Sequence, residues 1–359
     1  MTYMIMPKAV LGNWVGRLKE QYRVVGPKEK QGQFIFDEIR SVDELCLHYT
    51  PTVLPPKKYL FPPREVLLEY NLDGSRIEST VEPQPTVILG IHTCDLHAIK
   101  LLDHVFNQGY VDQHYLANRE HTYLVSIECL SQCTEHSFCR DMGTASSADG
   151  FDIHILELDN VFALNVRTRK GIKLMDGFHH AFEAMPSDMK RINKAYSEKW
   201  ERFSYRLDFD VVEMSDLLDD CYESKLWDEL GDRCLACGMC TKVCPTCYCF
   251  DVTDEADLLL EKGRRLRRWD TCQIDQFALV AGGHNFREKL SIRQRHRFMR
   301  KGKYQMDAFG MVGCVGCGRC ATSCLVHIRP IEVFNRLREY SQKTGKARGE
   351  LVPVVEVSQ

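Results

Sequence analysis

The chain carries two copies of one cysteine spacing, Cys234-Leu-Ala-Cys-Gly-Met-Cys-Thr-Lys-Val-Cys-Pro245 and Cys314-Val-Gly-Cys-Gly-Arg-Cys-Ala-Thr-Ser-Cys324. In each copy, three cysteines are separated by two residues, and a fourth cysteine follows three residues later. Three thiolates at this spacing wrap three corners of a 4Fe-4S cubane, and the fourth thiolate reaches the neighbouring cluster. The repeat therefore predicts a pair of clusters in the C-terminal part of the chain.

Each predicted cluster takes three ligands from one run and one ligand from the other. Set 1 consists of Cys234, Cys237, Cys240 and Cys324, and set 2 consists of Cys314, Cys317, Cys320 and Cys244. Zinc is the alternative, because paired CxxC motifs also build zinc ribbons. Two runs of four cysteines exceed what one zinc site needs, so the spacing favours clusters.

The segment between the two runs suggests a different setting from that of a compact ferredoxin. It is 69 residues long and includes a helical-looking stretch at 255–268. We therefore expect a mostly helical, two-cluster, ferredoxin-like domain over residues 206–340. Residues 341–359 form a predicted C-terminal tail.

The N-terminal part, residues 1–205, reads as an α/β domain, which makes the whole chain α+β. Apolar runs predict strands at 86–91, 123–127, 153–156 and 161–166, the last two as a hairpin. Apolar residues from Leu96 to Val105 predict a helix, with Asp95 as its cap. The proline-rich stretch 51–63 predicts an extended surface segment.

Four further cysteines form a candidate third site, set 3. They are Cys94, Cys129, Cys133 and Cys139. Two of them follow neighbouring predicted strands, whose carboxyl ends meet at one edge if the strands are parallel. A helix N-terminus there favours an anionic cluster. The four thiols converge on a third 4Fe-4S cluster or include buried free cysteines, and spacing alone leaves both interpretations open.

Composition narrows the functional class. The chain has 359 residues, 44% of them hydrophobic, and a net charge of −3, so it is not a globally basic nucleic-acid binder. Its 17 cysteines are an odd number, and no signal peptide or membrane span of about 20 apolar residues is visible. We therefore expect a cytoplasmic protein that uses cysteine for metals or redox chemistry.

Other candidate groups carry less information. Residues 261–303 hold 13 Lys or Arg against 4 Asp or Glu. These charges offset anionic clusters, dock an acidic partner or, as the least favoured alternative, contact nucleic acid, and a solvated charged face is the default for about half of them. No HExxH, GxSxG or nucleotide-binding fingerprint is present, so we predict no catalytic residue. The histidines, including His92, read as structural or exposed, and the five remaining cysteines read mainly as core residues.

These motifs together resemble a known family, the beta subunits of soluble NiFe sulfhydrogenases, and are similar to the electron-input subunits of anaerobic sulfite reductases. The resemblance rests on 234–251, Trp269-Asp-Thr-Cys-Gln273, His284-Asn-Phe-Arg287, 293–295, 313–320, 57–65, Thr93-Cys-Asp-Leu-His-Ala98 and 138–144. Family members commonly have Cys-x-Cys where this chain has Ser137-Phe138-Cys139, so the resemblance implies that Cys133 supplies the missing thiolate.

The resemblance implies an electron-transfer protein with three 4Fe-4S clusters. It would connect the flavin- and NAD(P)-binding subunit of a complex to the small and large subunits of a NiFe hydrogenase, without nucleic-acid binding or membrane insertion. The alternative in the same chemical class is the electron-input subunit of a sulfite reductase. The alternative in a different class is a zinc-bound structural or interaction protein.

Overall fold

The computed structural model describes residues 2–344, which form two β-sheets and a helical C-terminal region. The strands are β1 (Thr2–Pro7), β2 (Arg23–Lys30), β3 (Gln33–Glu38), β4 (Arg64–Asn71), β5 (Ile77–Ser79), β6 (Thr86–His92), β7 (Thr122–Ile127), β8 (Ile153–Glu157), β9 (Val161–Val166), β10 (Phe182–Glu183), β11 (Phe250–Ala256) and β12 (Lys262–Trp269). The helices are α1 (Leu11–Lys19), α2 (Thr93–Phe106), α3 (Gln113–Glu120), α4 (Arg169–Met175), α5 (Pro186–Glu198), α6 (Met214–Asp220), α7 (Leu226–Arg233), α8 (Met239–Lys242), α9 (Leu290–Met299), α10 (Gln305–Phe309), α11 (Arg319–Thr322) and α12 (Pro330–Thr344).

The larger sheet has eight strands in the order β10-β1-β9-β8-β7-β6-β2-β3. Its centre, β2-β6-β7-β8, is parallel, and β8 and β9 form an antiparallel hairpin. All residues of β6 and β7 are buried. Val87 and Leu89 pack into one core and Ile88 into another, because successive side chains of a strand point to opposite faces. The four strands predicted from apolar runs are confirmed.

The helix between β6 and β7 is also confirmed, but its predicted cap is wrong. The α2 helix begins at Thr93, its N-cap is His92, and no side chain caps it. Asp95 lies three residues beyond the N-cap, inside the first turn of the helix. It is buried, and its carboxylate pairs with Arg319 instead of with helix N–H groups.

The proline-rich stretch is not the extended surface segment that the sequence predicts. Residues Pro56–Tyr59 form a 3-10 turn. Lys57 and Phe61 are buried, and the Phe61 ring stacks on Trp269 with centroids 5.8 Å apart. Prolines here shape a tight turn that carries aromatic and basic side chains into the protein interior.

The predicted helix at 255–268 is wrong, since this region forms the β11–β12 hairpin. It belongs to a second sheet of order β11-β12-β4-β5. Cross-strand partners carry opposite charges: Arg265 faces Asp254, and Arg264 faces Glu255. Such pairs stabilise an antiparallel ladder. The sheet also links residues 64–79 to 250–269, across the boundary predicted near residue 205, which itself stays a prediction.

The rest of the C-terminal region is helical, as expected. Side chains from α6, α7, α9 and α12 share one core, in which the Phe298 ring meets Phe334 edge-on at 5.4 Å. The predicted tail lies mostly outside the described residues, although α12 extends to Thr344. Within residues 2–344, no helix has both the length and the apolar character needed to cross a membrane.

Candidate metal centres

The structure brings the four thiols of set 1 around one cavity. Cys234 ends α7, Cys240 lies in α8, and Cys324 follows α11. Together with Cys237 they line one cavity. Gln294 on α9 donates a hydrogen bond from Nε2 to the Cys234 Sγ at 3.0 Å. Four cysteines therefore meet at this cavity, and the Gln294 amide stabilises the thiolate form of one of them.

Left-handed residues shape the two cysteine loops in the same way. The first loop has positive φ at Ala236 (53°) and Gly238 (73°), and the second has it at Gly316 (65°) and Gly318 (77°). A Cβ on Gly316 would lie 2.6 Å from backbone atoms of Phe138. Glycine is required there because the second loop packs directly against the segment that carries set 3.

Set 2 gathers in the same manner, with Cys244 joining the second run. The Cys314 thiol interacts electrostatically with Cys320, Cys317 and Cys244. Burial raises the pKa of Cys317 to about 12, because a buried thiolate loses its hydration. Thiolates at this position therefore require compensating charge from the protein or from bound iron.

Buried cations supply part of that charge. Burial alone lowers the pKa of Lys301, but nearby thiolates, led by Cys244, outweigh it and hold the pKa above its usual value. The Lys301 Nζ donates to the Thr246 Oγ1 at 2.6 Å. On the other side, the Lys57 Nζ donates to the Cys244 carbonyl oxygen at 2.7 Å.

Arg297 stands between sets 1 and 2. Its side chain is buried, and it interacts with Cys240 of set 1 and with Cys320 and Cys244 of set 2, hydrogen-bonding to Cys320. Burial opposes its charge, yet these thiolates raise the pKa of Arg297 above its ordinary value. One guanidinium therefore serves both cysteine sets.

Set 3 also comes together, at the carboxyl edge of the parallel strands. Cys94 lies in the first turn of α2, and Cys129 follows β7. The Cys133 thiol hydrogen-bonds to Cys129 and interacts electrostatically with Cys94 and Cys139. The strand-edge argument thus placed these thiols correctly relative to one another.

The sequence analysis missed His92. Its Nδ1 lies 3.9 Å from the Cys133 Sγ, and the ligand atoms of His92, Cys129 and Cys133 lie within 4.8 Å of one another. Burial lowers the pKa of His92 to about 3, which keeps the imidazole neutral and able to bind metal. Its place at the end of β6, two residues before Cys94, was the available signal.

A buried ion pair joins set 3 to set 2. Arg319, from the second cysteine loop, holds the Asp95 carboxylate with both terminal nitrogens at 2.6 Å. Cys317 of set 2 packs in one buried cluster with Cys94 and Cys139 of set 3. The three sets are consequently arranged in the order 1, 2, 3, with set 2 in the middle.

The spacing of the ligand atoms separates sets 1 and 2 from set 3. Tetrahedral zinc with bonds of about 2.3 Å holds its sulfur ligands about 3.8 Å apart. Among residues 2–344, His92, Cys129 and Cys133 are the one group of three ligands within 4.8 Å. Among the same residues sets 1 and 2 contain no such close group, and their cysteine-only donor sets suit the larger 4Fe-4S cubane, whereas the group at set 3 is also compact enough for a single metal ion.

The remaining cysteines divide into two kinds. Cys221 packs in the helical core, as predicted, and Cys46 is half-buried and belongs to none of the three sets. Cys247 hydrogen-bonds to Cys244, and Cys249 hydrogen-bonds to Cys272. The hydrogen bond from Cys272, with Lys301 and Arg300 nearby, lowers the pKa of Cys249 to about 6 despite burial.

The basic stretch 261–303 also divides. Arg264, Arg265 and Arg268 make exposed ion pairs with acidic residues of β11. Arg297 and Lys301 instead point into the cysteine sets. Part of the stretch therefore compensates the charge of the thiolates, and another part forms a charged surface in contact with solvent.

Comparison with known proteins supports 4Fe-4S binding in the C-terminal part of the chain. Residues 233–328 match the family model described as a 4Fe-4S dicluster domain. The chain is 34% identical to Sulfhydrogenase 2 subunit beta of Pyrococcus furiosus over 339 residues, which is 94% of this chain and 99% of that protein. No solved structure matches the chain significantly.

Proposed function

Because the chain belongs to the family of the sulfhydrogenase beta subunits, we propose that it is the iron–sulfur electron-transfer subunit of a hydrogenase complex. The observation that carries this proposal is the row of three cysteine sets, joined by Arg297 and by the Arg319–Asp95 pair. Each set would hold one 4Fe-4S cluster, a carrier that takes up and releases one electron at a time. The protein serves as the scaffold and insulation of this row.

Both ends of the row open to the protein surface, which supports transfer through the chain. Cys237 of set 1 is the one exposed cysteine of the 17. Leu235 and Leu325 beside it are 59% and 75% exposed. At the other end, a cleft lined by Cys129 and Cys133 opens next to set 3. Set 2 lies between these openings, so electrons entering at one end would leave at the other.

We assign the partners from the family. One end would meet a flavin- and NAD(P)-binding subunit, and the other would meet the small subunit of a NiFe hydrogenase with its large subunit. The complex would work in the cytoplasm, where thiols stay reduced. A division into an α/β part, residues 1–205, and a dicluster part, residues 206–340, belongs to the same proposal.

The test is anaerobic isolation of the native complex with iron and zinc analysis and EPR spectroscopy. We expect about twelve irons per chain, cubane signals after reduction by dithionite, and the same signals after exposure to hydrogen. Co-purification of a sirohaem subunit would identify the sulfite reductase alternative instead. A colourless chain with about two zincs and no EPR signal would contradict the proposal.

A further inference from the structure

Two cysteines outside the three sets lie against each other at the open end of a hairpin. Cys249 immediately precedes β11, and Cys272 follows β12 by three residues. The Asp270 N–H donates to the Cys249 carbonyl oxygen at 2.9 Å, which holds the two chain segments together. The two thiols hydrogen-bond to each other, and the Cys272 backbone N–H also donates to the Cys249 sulfur.

The surroundings of this pair connect it to set 1. Cys272 is buried and interacts electrostatically with Cys240, a set 1 cysteine. The Gln273 Nε2 donates to the Cys272 Sγ at 3.4 Å. Arg300 and Lys301 face Cys249, so positive charge is available to a thiolate there.

The pair lacks what a metal site would need. No third Cys, His, Asp or Glu ligand atom joins Cys249 and Cys272 within 4.8 Å in the part of the chain that the structure describes. Two adjacent thiols without a third ligand, next to an electron carrier, have the geometry of a dithiol couple.

We propose that Cys249 and Cys272 are a redox-active pair that closes reversibly to a disulfide by exchanging electrons with the set 1 cluster. The inference rests on the proposed function for its electron acceptor. On closing, two S–H bonds break and one S–S bond of about 2.05 Å forms. Two electrons leave through the set 1 cluster one after the other, the first moving on towards set 2 before the second arrives, and the two protons leave to water at the half-buried Cys249.

This chemistry would add a two-electron store to a row of one-electron carriers. The reverse reaction takes two electrons from the cluster and two protons from water, and it restores both thiols. Closing the disulfide would also take away a sulfur that can ionise beside Arg300 and Lys301, which couples the potentials of the neighbouring clusters to the state of the pair.

The experiment uses the full-length, iron-loaded chain kept free of oxygen. Samples are poised with dithionite or with oxidised thionine, then denatured in excess N-ethylmaleimide and analysed by peptide mass spectrometry. We expect Cys249 and Cys272 to be alkylated in the reduced sample. In the oxidised sample both cysteines should escape alkylation and appear in one disulfide-linked peptide. The oxidised sample should therefore contain two fewer alkylated thiols than the reduced sample.

Variants make the assignment specific. Cys249→Ser and Cys272→Ser should each abolish the redox-dependent protection and keep the iron content of the unmodified chain. Cys46→Ser, which changes a half-buried cysteine outside the three sets and the pair, should leave the protection intact. Equal alkylation of both cysteines in the two redox states, or loss of iron in either pair variant, would overturn the inference. Iron content and EPR signals report separately on the proposed function.

Discussion

At the scale of single residues, buried cations govern the sites as much as the cysteines do. Lys57, Arg297 and Arg319 are buried and Lys301 is half-buried, and each faces sulfur or the carboxylate beside it. Burying a thiolate without compensation is costly, and so is burying an isolated cation. Each type of residue makes the burial of the other possible.

Arg297 provides a direct test of this compensation. Replacing it by Gln should make the potentials of clusters 1 and 2 more negative, because a reduced cluster carries one more negative charge. A single nearby charge in a protein contributes on the order of 1–4 kcal/mol, equivalent to about 50–150 mV for one electron. EPR-monitored redox titration measures the shift.

Arg297→Lys is the matched control, since it keeps the charge and loses the planar guanidinium. It should shift the potentials less than Arg297→Gln, and both variants should retain the full iron content. Equal potentials in the unmodified chain and in Arg297→Gln would show that the guanidinium does not influence the clusters.

Cys94 tests the third site. Its thiol lies in the first turn of α2, with Cys129 and Cys317 as its electrostatic neighbours. Cys94→Ala should remove about four irons per chain and leave the EPR signals of the other two clusters largely unchanged. Iron analysis measures the loss, and Cys221→Ala, a change in the helical core, should not reproduce it. An unchanged iron content would show that Cys94 is not a ligand.

The sequence predicts the site residues whose positions depend on local spacing, and it misses those whose contacts are made between distant segments. The cysteine runs are local, so their spacing alone predicts which thiols meet. His92 approaches Cys133 across 41 residues, and Arg319 approaches Asp95 across 224. The first contact depends on where the loop after β7 lies against the end of β6, and the second depends on how the second cysteine loop packs on the strand edge, so neither follows from the spacing within one cysteine run. The family resemblance is confirmed at the level of the whole chain.

At the scale of secondary-structure elements, apolar runs predict the buried strands correctly, whereas the densely charged segment between the cysteine runs is wrongly predicted as a helix. The buried strands β6 and β7 are apolar and short, and their prediction is confirmed. The β11–β12 hairpin has mostly exposed residues and dense charge, which resembles a solvated helix. Its ion pairs join residues on neighbouring strands, not residues one turn apart on a helix. The strand conformation depends on pairing of β12 with β4, which lies almost 200 residues earlier in the chain.

Gly231 tests how two helices position set 1. It lies on α7 where α9 crosses, and an added Cβ would be 2.6 Å from the Ser291 backbone nitrogen. Gly231→Ala should push the helices apart and cost about 1–3 kcal/mol of stability. The shift would also separate Gln294 from the Cys234 sulfur. Thermal unfolding and the EPR line shape of cluster 1 measure the two effects.

The control for this substitution is Gly16→Ala on α1. Gly16 is exposed, and an added Cβ there has no atom within 4 Å. Alanine at that position should be neutral or stabilise the protein by up to about 1 kcal/mol through its helix propensity. A similar loss of stability in both variants would mean that close helix packing is not the cause.

At the scale of the whole molecule, the three sets depend on contacts between distant segments. The second sheet joins residues 64–79 to 250–269, and the Lys57 ammonium reaches the backbone beside Cys244. The Gly316 carbonyl oxygen accepts from the Phe138 N–H at 2.8 Å. A row of electron carriers needs fixed separations, and these connections hold the N-terminal set against the C-terminal pair.

The Arg319–Asp95 pair is the connection whose loss should matter most. Both side chains are almost fully buried, and the Arg319 Nε also donates to the Thr52 carbonyl oxygen at 2.7 Å. Arg319→Ala should cost about 3–5 kcal/mol, because it leaves the Asp95 carboxylate buried without a partner. Arg336→Ala breaks an exposed pair with Glu229 and should cost about 0–1 kcal/mol. Chemical denaturation compares the two variants under anaerobic conditions. If set 3 depends on this contact, Arg319→Ala should lose the iron of cluster 3 at a lower denaturant concentration than the iron of clusters 1 and 2. Loss of iron from all three clusters at the same concentration would mean that the three sets unfold as one unit.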